Sequence, residues 1–217
     1  MMPRLRLVSR AETQDPLVLF MYDRKFAGRD PAIDPGTTAS GAPGNFEAVF
    51  AHSPDVLEHV VQGFYLKQTG ARKLPLKYME LAITRVGWNC SCRWMYSEHT
   101  KILRGLGYSE DALAAIPAWP TSELFDDAER AVLAYADCIA LDHGRTPDAV
   151  FAKLAGHFDE EQLIELTYIT SMFMMNAGMI RALRLEHDDY DERVAEMASP
   201  PEYRFVEREP APLPKRT

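Results

Sequence analysis

The stretch PLKYMELAITRVGWNCSCRWMYSEHTKILRGLG, Pro75 to Gly107, decides the fold. Its apolar residues recur every three or four positions, the period of an α-helix. At 100° per residue from Leu76, the side chains of Met79, Glu80, Ile83 and Gly87 share one side, while Lys77 and Arg85 point elsewhere. Glu80 therefore sits where a helix normally carries Leu or Ile. A second helix is expected over Asn89 to Gly107, and on it Cys92, Met95, Tyr96, His99, Leu103 and Leu106 share a face. A short turn at Trp88-Asn89 folds the two helices antiparallel, bringing Glu80 towards Cys92 and His99.

An acid and an imidazole in one dry place are chemically useful. Burial raises a carboxyl pKa and lowers that of an imidazole, while their attraction works the other way. The pair is thus expected to be poised near neutrality for moving a proton. Cys92, if its thiolate is stabilised by His99, is a candidate nucleophile or redox centre. The bland alternative stays open: Glu80 and His99 as a structural hydrogen-bonded pair, since an unpaired buried carboxylate is costly. Cys138, on an amphipathic helix, reads as a small hydrophobe. Asp142, His143 and His157 read as helix-end or loop residues. Cys90, Cys92 and His99 supply a weak zinc pattern, because Cys90 points off the shared face; no metal and no cofactor is expected.

Outward from this segment the helical pattern continues. Ser53-Pro54-Asp55 is a helix start, as are Ser109-Glu110-Asp111, Ser122-Glu123, Thr146-Pro147-Asp148 and Asp159-x-x-Gln162. Phe125, Ala128, Val132, Tyr135 and Ile139 form one apolar stripe. The last long helix, Glu160 to about Leu185, is apolar nearly all round and is expected to be covered on both sides, either centrally or by another subunit. Strand signals are nearly absent. The fold class is all-α, a single helical domain over residues 45–190. It is preceded by an N-terminal arm, 1–44, largely irregular but with an apolar segment from Pro16 to Phe26. A proline-rich tail follows, 191–217, read as a strap or a disordered end.

Composition bounds the function. The chain has 217 residues, 47% of them hydrophobic, with a formal net charge of −8 and no basic run of the kind that meets phosphates, so no nucleic acid is expected as partner. No run of about 20 uninterrupted apolar residues argues for a membrane span. With three cysteines and no secretory pattern, a disulfide framework is not expected and a cytoplasmic setting is.

The run MELAITRVGWNCSCRWMYSEHTKILRGLGYSEDALAAI resembles the central segment of the carboxymuconolactone decarboxylase and alkylhydroperoxidase D (AhpD-like) superfamily. The closing helices, from FDDAERAVLAYADCIALDHG through FDEEQLIEL, resemble that family too. The resemblance spans Phe46 to Glu186 and implies an AhpD-like helical bundle that assembles as a homo-oligomer, a trimer or hexamer. It maps the family's Glu onto Glu80, its first Cys onto Cys92 and its His onto His99. Met95 stands at the second cysteine position of the peroxidase branch, and a thioether cannot resolve a sulfenic acid.

The resemblance implies a small-molecule enzyme of acid/base type: decarboxylation, lactone isomerisation or a related step on a cyclic carbonyl compound. Glu80 and His99 trade protons in this reading, and Tyr96 donates a hydrogen bond to an enolate oxygen. Trp88, Trp94 and Met95 are candidates for the substrate pocket. Two alternatives stand beside it: a thiol-dependent peroxidase or disulfide reductase using Cys92 with or without Cys90, and a non-catalytic helical oligomer that binds a ligand.

Overall fold

The computed structural model describes residues 3–68, 72–186, 191, 193–207 and 211–215. Among these the architecture is all-helical: α1 (Pro16–Phe26), α2 (Asn45–Phe50), α3 (Pro54–Gln68), α4 (Leu76–Asn89), α5 (Arg93–Gly105), α6 (Glu110–Ala115), α7 (Asp127–Leu141), α8 (Asp148–Ala155) and α9 (Glu160–Leu183). Short 3₁₀ turns sit at Arg10–Glu12 and Ile116–Thr121. A lone bridge between Thr37 and Pro43 is the one extended pairing described.

The central helix is α4. It packs against α5, α7 and α9, and every residue from Met79 to Gly87 is buried. Leu81, Ile83 and Val86 are fully enclosed; each such side chain contributes about 1.5–3 kcal/mol on leaving water. Arg85, expected off the Glu80 face, is buried too. Its Nε reaches Asp137 Oδ1 at 2.5 Å, and its Nη1 donates to the carbonyls of Ile116 and Pro117 at 3.1 and 2.9 Å. Asp137 also accepts from Asn89 Nδ2 at 2.7 Å and Trp119 Nε1 at 2.9 Å. A charge survives inside because every polar atom of this cluster finds a partner.

The turn between the helices is later and tighter than expected. α4 runs on to Asn89, and α5 begins at Arg93, with Cys92 as its N-cap residue. Ser91, at φ 53°, takes the left-handed conformation that reverses the chain. Gly87 makes the return possible: a Cβ there would lie 2.7 Å from the backbone nitrogen of Tyr96 and 3.0 Å from its Cα. Only a glycine lets the two backbones approach so closely.

Other ends differ from the sequence reading in detail. α7 starts at Asp127, because Asp126 and Glu129 form a reciprocal capping box, whereas Ser122 closes the preceding 3₁₀ turn. α9 is open on one side: Ile164, Tyr168 and Met175 are exposed, while Leu166, Ile169, Ala177 and Ile180 face the core. It is long and apolar enough by composition to cross a membrane, and half of that window is buried within the chain.

The arm is not simply irregular. Asp15 caps α1 through hydrogen bonds from the amides of Leu17 and Val18, and Leu17, Val18, Tyr22 and Phe26 are buried. Tyr22 Oη donates to the carbonyl of Val8 at 2.7 Å, tying the first residues down. The tail is a strap where it is described. Met197 N–H donates to Ser97 Oγ at 2.8 Å, Arg104 pairs with Glu196 at 2.7 Å, Phe205 covers Gly105, and Glu207 pairs with Arg72.

Candidate active site

Three helices each bring one ionisable side chain to a common point. Glu80, on the second turn of α4, is 1% exposed. His99, on α5, sets Nδ1 2.5 Å from Glu80 Oε2. Lys67, in the last turn of α3, sets Nζ 2.9 Å from Glu80 Oε1. That second contact is an ion pair, not an aligned hydrogen bond, so Oε1 has charge compensation without a directed donor. Phe173 of α9 closes the group, its ring 4.9 Å from the imidazole in an edge-on arrangement and 5.5 Å from the ammonium.

These neighbours set the protonation states. Burial by itself pushes the Glu80 carboxyl up, but Lys67 and then His99 outweigh it and bring the pKa down to about 2. The carboxyl is therefore a fixed anion at neutral pH, not a group poised near neutrality. His99 is held below its ordinary range, by burial first; Glu80 opposes this and Lys67 adds to it. The neutral imidazole then donates Nδ1–H to Glu80 and keeps Nε2 as its basic nitrogen.

Lys67 and Glu80 open onto a cavity of about 360 Å³. Its other walls include Arg24 and Lys25 of α1, Arg72 and the strap residues Tyr203 and Phe205. The rim is cationic. A larger hollow of about 480 Å³ between α7 and α8, lined by Trp119, Arg130 and His157 among others, holds none of these three groups.

The remaining sequence candidates lie elsewhere. Cys92 is fully buried at the N-cap of α5, its amide donating to the carbonyl of Gly87 at 2.8 Å. It stands seven residues ahead of His99, about 10 Å of helical rise. Cys90 is half-buried at the C-cap of α4, where burial pushes its thiol up against the opposing effect of Arg181. All three cysteines are free thiols. Tyr96 packs on Trp88, ring centroids 5.8 Å apart, and burial raises its phenol. Met95 is fully enclosed, and Trp94 lines a different cavity. None of Trp88, Trp94, Met95 or Tyr96 is a wall of the cavity at Glu80, because residues 94 to 96 begin α5 and sit beside the far end of α4. No group of three or more His, Cys, Asp or Glu side chains among the described residues is arranged to hold a metal.

Lys67 is the residue the sequence reading passed over. Its signal was present: Leu57, Val60, Val61 and Phe64 mark the inward stripe of α3, and Lys67 continues it. The logic that singled out Glu80 applies equally to a lysine on an apolar stripe. Arg72 and the strap residues carried no such pattern.

An all-helical bundle with an acid–imidazole–amine group between adjacent helices is the class that fold and site define. Residues 54–137 match the model of the carboxymuconolactone decarboxylase family. Over that segment the chain is similar to the family, and its fold is that of AhpD-like proteins. It is 33% identical over 104 residues to the uncharacterized protein YnjA of Escherichia coli (strain K12), covering 48% of this chain and 57% of YnjA, so the match spans little more than half of that relative. In fold it resembles the debrominase Bmp8, solved as a cysteine-to-alanine variant in complex with 2,3,4-tribromopyrrole (TM-score 0.63, 16% identity, 85% of this chain and 91% of that one). It also resembles an alkylhydroperoxidase AhpD core, an uncharacterized peroxidase-related protein from Ralstonia eutropha JMP134 (TM-score 0.58, 18% identity, 65% and 75% covered).

Proposed function

We propose that the protein is an enzyme that moves a proton on a small, cyclic, carbonyl-bearing anion bound in the cavity beside Glu80. The observation that carries this reading is Glu80 held between Lys67 and His99, with Lys67 and Glu80 facing the cavity. A cavity of about 360 Å³ suits one or two small rings. Arg24, on its rim beside the Lys25–Glu47 and Arg72–Glu207 pairs, suits a carboxylate. The likeness in fold to a debrominase bound to a bromopyrrole is consistent with a small ring.

In this reading the resting carboxylate is too weak a base, because Lys67 neutralises it. A substrate carbonyl that approaches Lys67 shares its ammonium, so Glu80 loses counter-charge just as negative charge builds on the substrate oxygen. Glu80 then takes the proton from the adjacent carbon, and His99 steadies the pair through its Nδ1–H. Lys67 fills the role that the sequence suggested for Tyr96. The test is turnover of a panel of lactones and cyclic keto acids by Glu80→Gln, His99→Ala and Lys67→Met. We expect kcat/KM to fall by about 10²-fold or more in Glu80→Gln; unchanged turnover in that variant overturns the proposal.

One observation favours a second reading, thiol chemistry at Cys92. That residue is the N-cap of α5, the end of the helix at which backbone amides point outward. Thiol titration before and after one equivalent of peroxide separates the two. Loss of two thiols supports a Cys90–Cys92 redox pair; slow over-oxidation of one argues against it. We also propose, from the family likeness, a homo-oligomer; a sedimentation mass near 24.5 kDa would refute it.

A further inference from the structure

A second cavity, of about 250 Å³, lies where α1, the loop before α2, α5 and the strap meet. It holds three carboxyl groups, Glu47, Glu98 and Glu186, with Lys25 and two aromatic walls, Trp94 and Tyr203. The proton-transfer reading uses none of the carboxyls.

Glu186 is the unusual member. It is 1% exposed. Its Oε1 accepts the amide of Phe46 at 3.3 Å, whereas Oε2 is buried with no hydrogen-bond partner. A buried oxygen without a partner is costly, and more so if charged. Charge counting shows what is missing. Glu47 is paired with Lys25 at 3.5 Å and Glu98 with Lys101 at 3.0 Å, while Lys101 also donates to the carbonyl of Ser40. Arg24, on the same rim, lies over the ring of Phe20, 5.5 Å from its centroid. Glu186 is left as the one carboxyl without a counter-charge of its own. Burial first, then Glu47 and Glu98, raise its pKa, with the Phe46 amide and Lys25 opposing.

We propose that this cavity, which shares the walls Arg24, Lys25 and Tyr203 with the Glu80 cavity but not Glu80 itself, is a second ligand site that takes a small organic cation: a primary ammonium on an apolar stem. Glu186 is its counter-ion, and Trp94 and Tyr203 are its aromatic walls. The ammonium supplies both the donor and the charge that Oε2 lacks, and aromatic faces attract a desolvated cation. Trp94 is held in place for this, stacked on Phe46 with planes 9° apart, and Phe46 is the residue whose amide fixes Glu186. An incoming anion would meet three carboxyls. A neutral acceptor would satisfy a protonated Oε2, so the 1-butanol arm of the test separates that case from a cation. Pairing with the ammonium favours the ionised carboxylate, so binding draws protons off Glu186.

The test is calorimetric titration of the full chain at pH 7 with n-butylammonium chloride, against sodium butyrate and 1-butanol, in phosphate and in MOPS. We expect saturable binding of butylammonium alone, with protons released on binding, read from the difference between buffers. Glu186→Gln keeps the acceptor for Phe46 and should weaken binding at least about tenfold. Trp94→Leu should weaken it as well and stands in should Glu186→Gln not fold. Glu80→Gln should bind as the parent does, which marks the sites as separate. Absence of saturable butylammonium binding, equal affinity in Glu186→Gln, or preference for butyrate or butanol overturns the proposal.

Discussion

The ammonium of Lys67 lies 2.9 Å from the carboxylate of Glu80, and the two are 9% and 1% exposed at their side chains. This contact sets the charge of the whole group. With Lys67 removed, His99 loses a repelling cation and its titration should move to higher pH. We therefore expect Lys67→Met to raise the His99 midpoint seen by NMR of its ring, and to cost about 3–5 kcal/mol of stability by leaving a buried carboxylate half-paired. An unmoved midpoint would show that Lys67 does not act on the pair.

Acid should weaken the fold in two stages. Both Glu80 and His99 have folded pKa values below their unfolded ones, so each stabilises the native state above the unfolded value. As pH falls below the ordinary histidine range, the unfolded chain binds a proton that folded His99 resists. Below the ordinary carboxyl range the same holds for Glu80, down to about 2. Urea midpoints measured from pH 8 to 3 should decline over both ranges in the parent, and the lower decline should shrink in Glu80→Gln.

Gly87→Ala tests the close approach of α4 and α5. The new methyl would meet the Tyr96 backbone at 2.7 Å, and backbone cannot rotate away as a side chain does. A loss of about 1–3 kcal/mol is expected, together with reduced turnover as the Glu80–His99 distance opens. Denaturation and kinetics on the same preparation check both.

Asp137→Ala removes the acceptor shared by Arg85, Asn89 and Trp119. It strands the Arg85 guanidinium, 8% exposed, without its counter-ion. The expected cost is about 3–5 kcal/mol, read by chemical denaturation. A change below about 1 kcal/mol, the size of a surface ion pair, would show the network to be dispensable.

Much of this was legible in the chain itself. Helical periodicity places Glu80 and His99 on inward stripes, and a carboxylate on such a stripe must find a partner. Local chemistry likewise marks the helix starts at Pro54, Ser109 and Asp159, because a start is decided by residues within one turn. One expectation failed: the turn falls after Asn89, not at Trp88-Asn89, because periodicity assigns faces to a helix but does not fix where it ends.

Residue order by itself determined an all-helical chain with an acid and an imidazole turned inward on successive helices. Only the tertiary structure decided their charge state, since the decisive cation, Lys67, arrives from α3 across a gap in sequence that no local pattern measures. It also decided which groups meet an open cavity: Trp94 and Glu186 went to one, Lys67 and Glu80 to another. Burial and charge compensation depend on the sum of distant neighbours, and that sum exists only once the helices have packed.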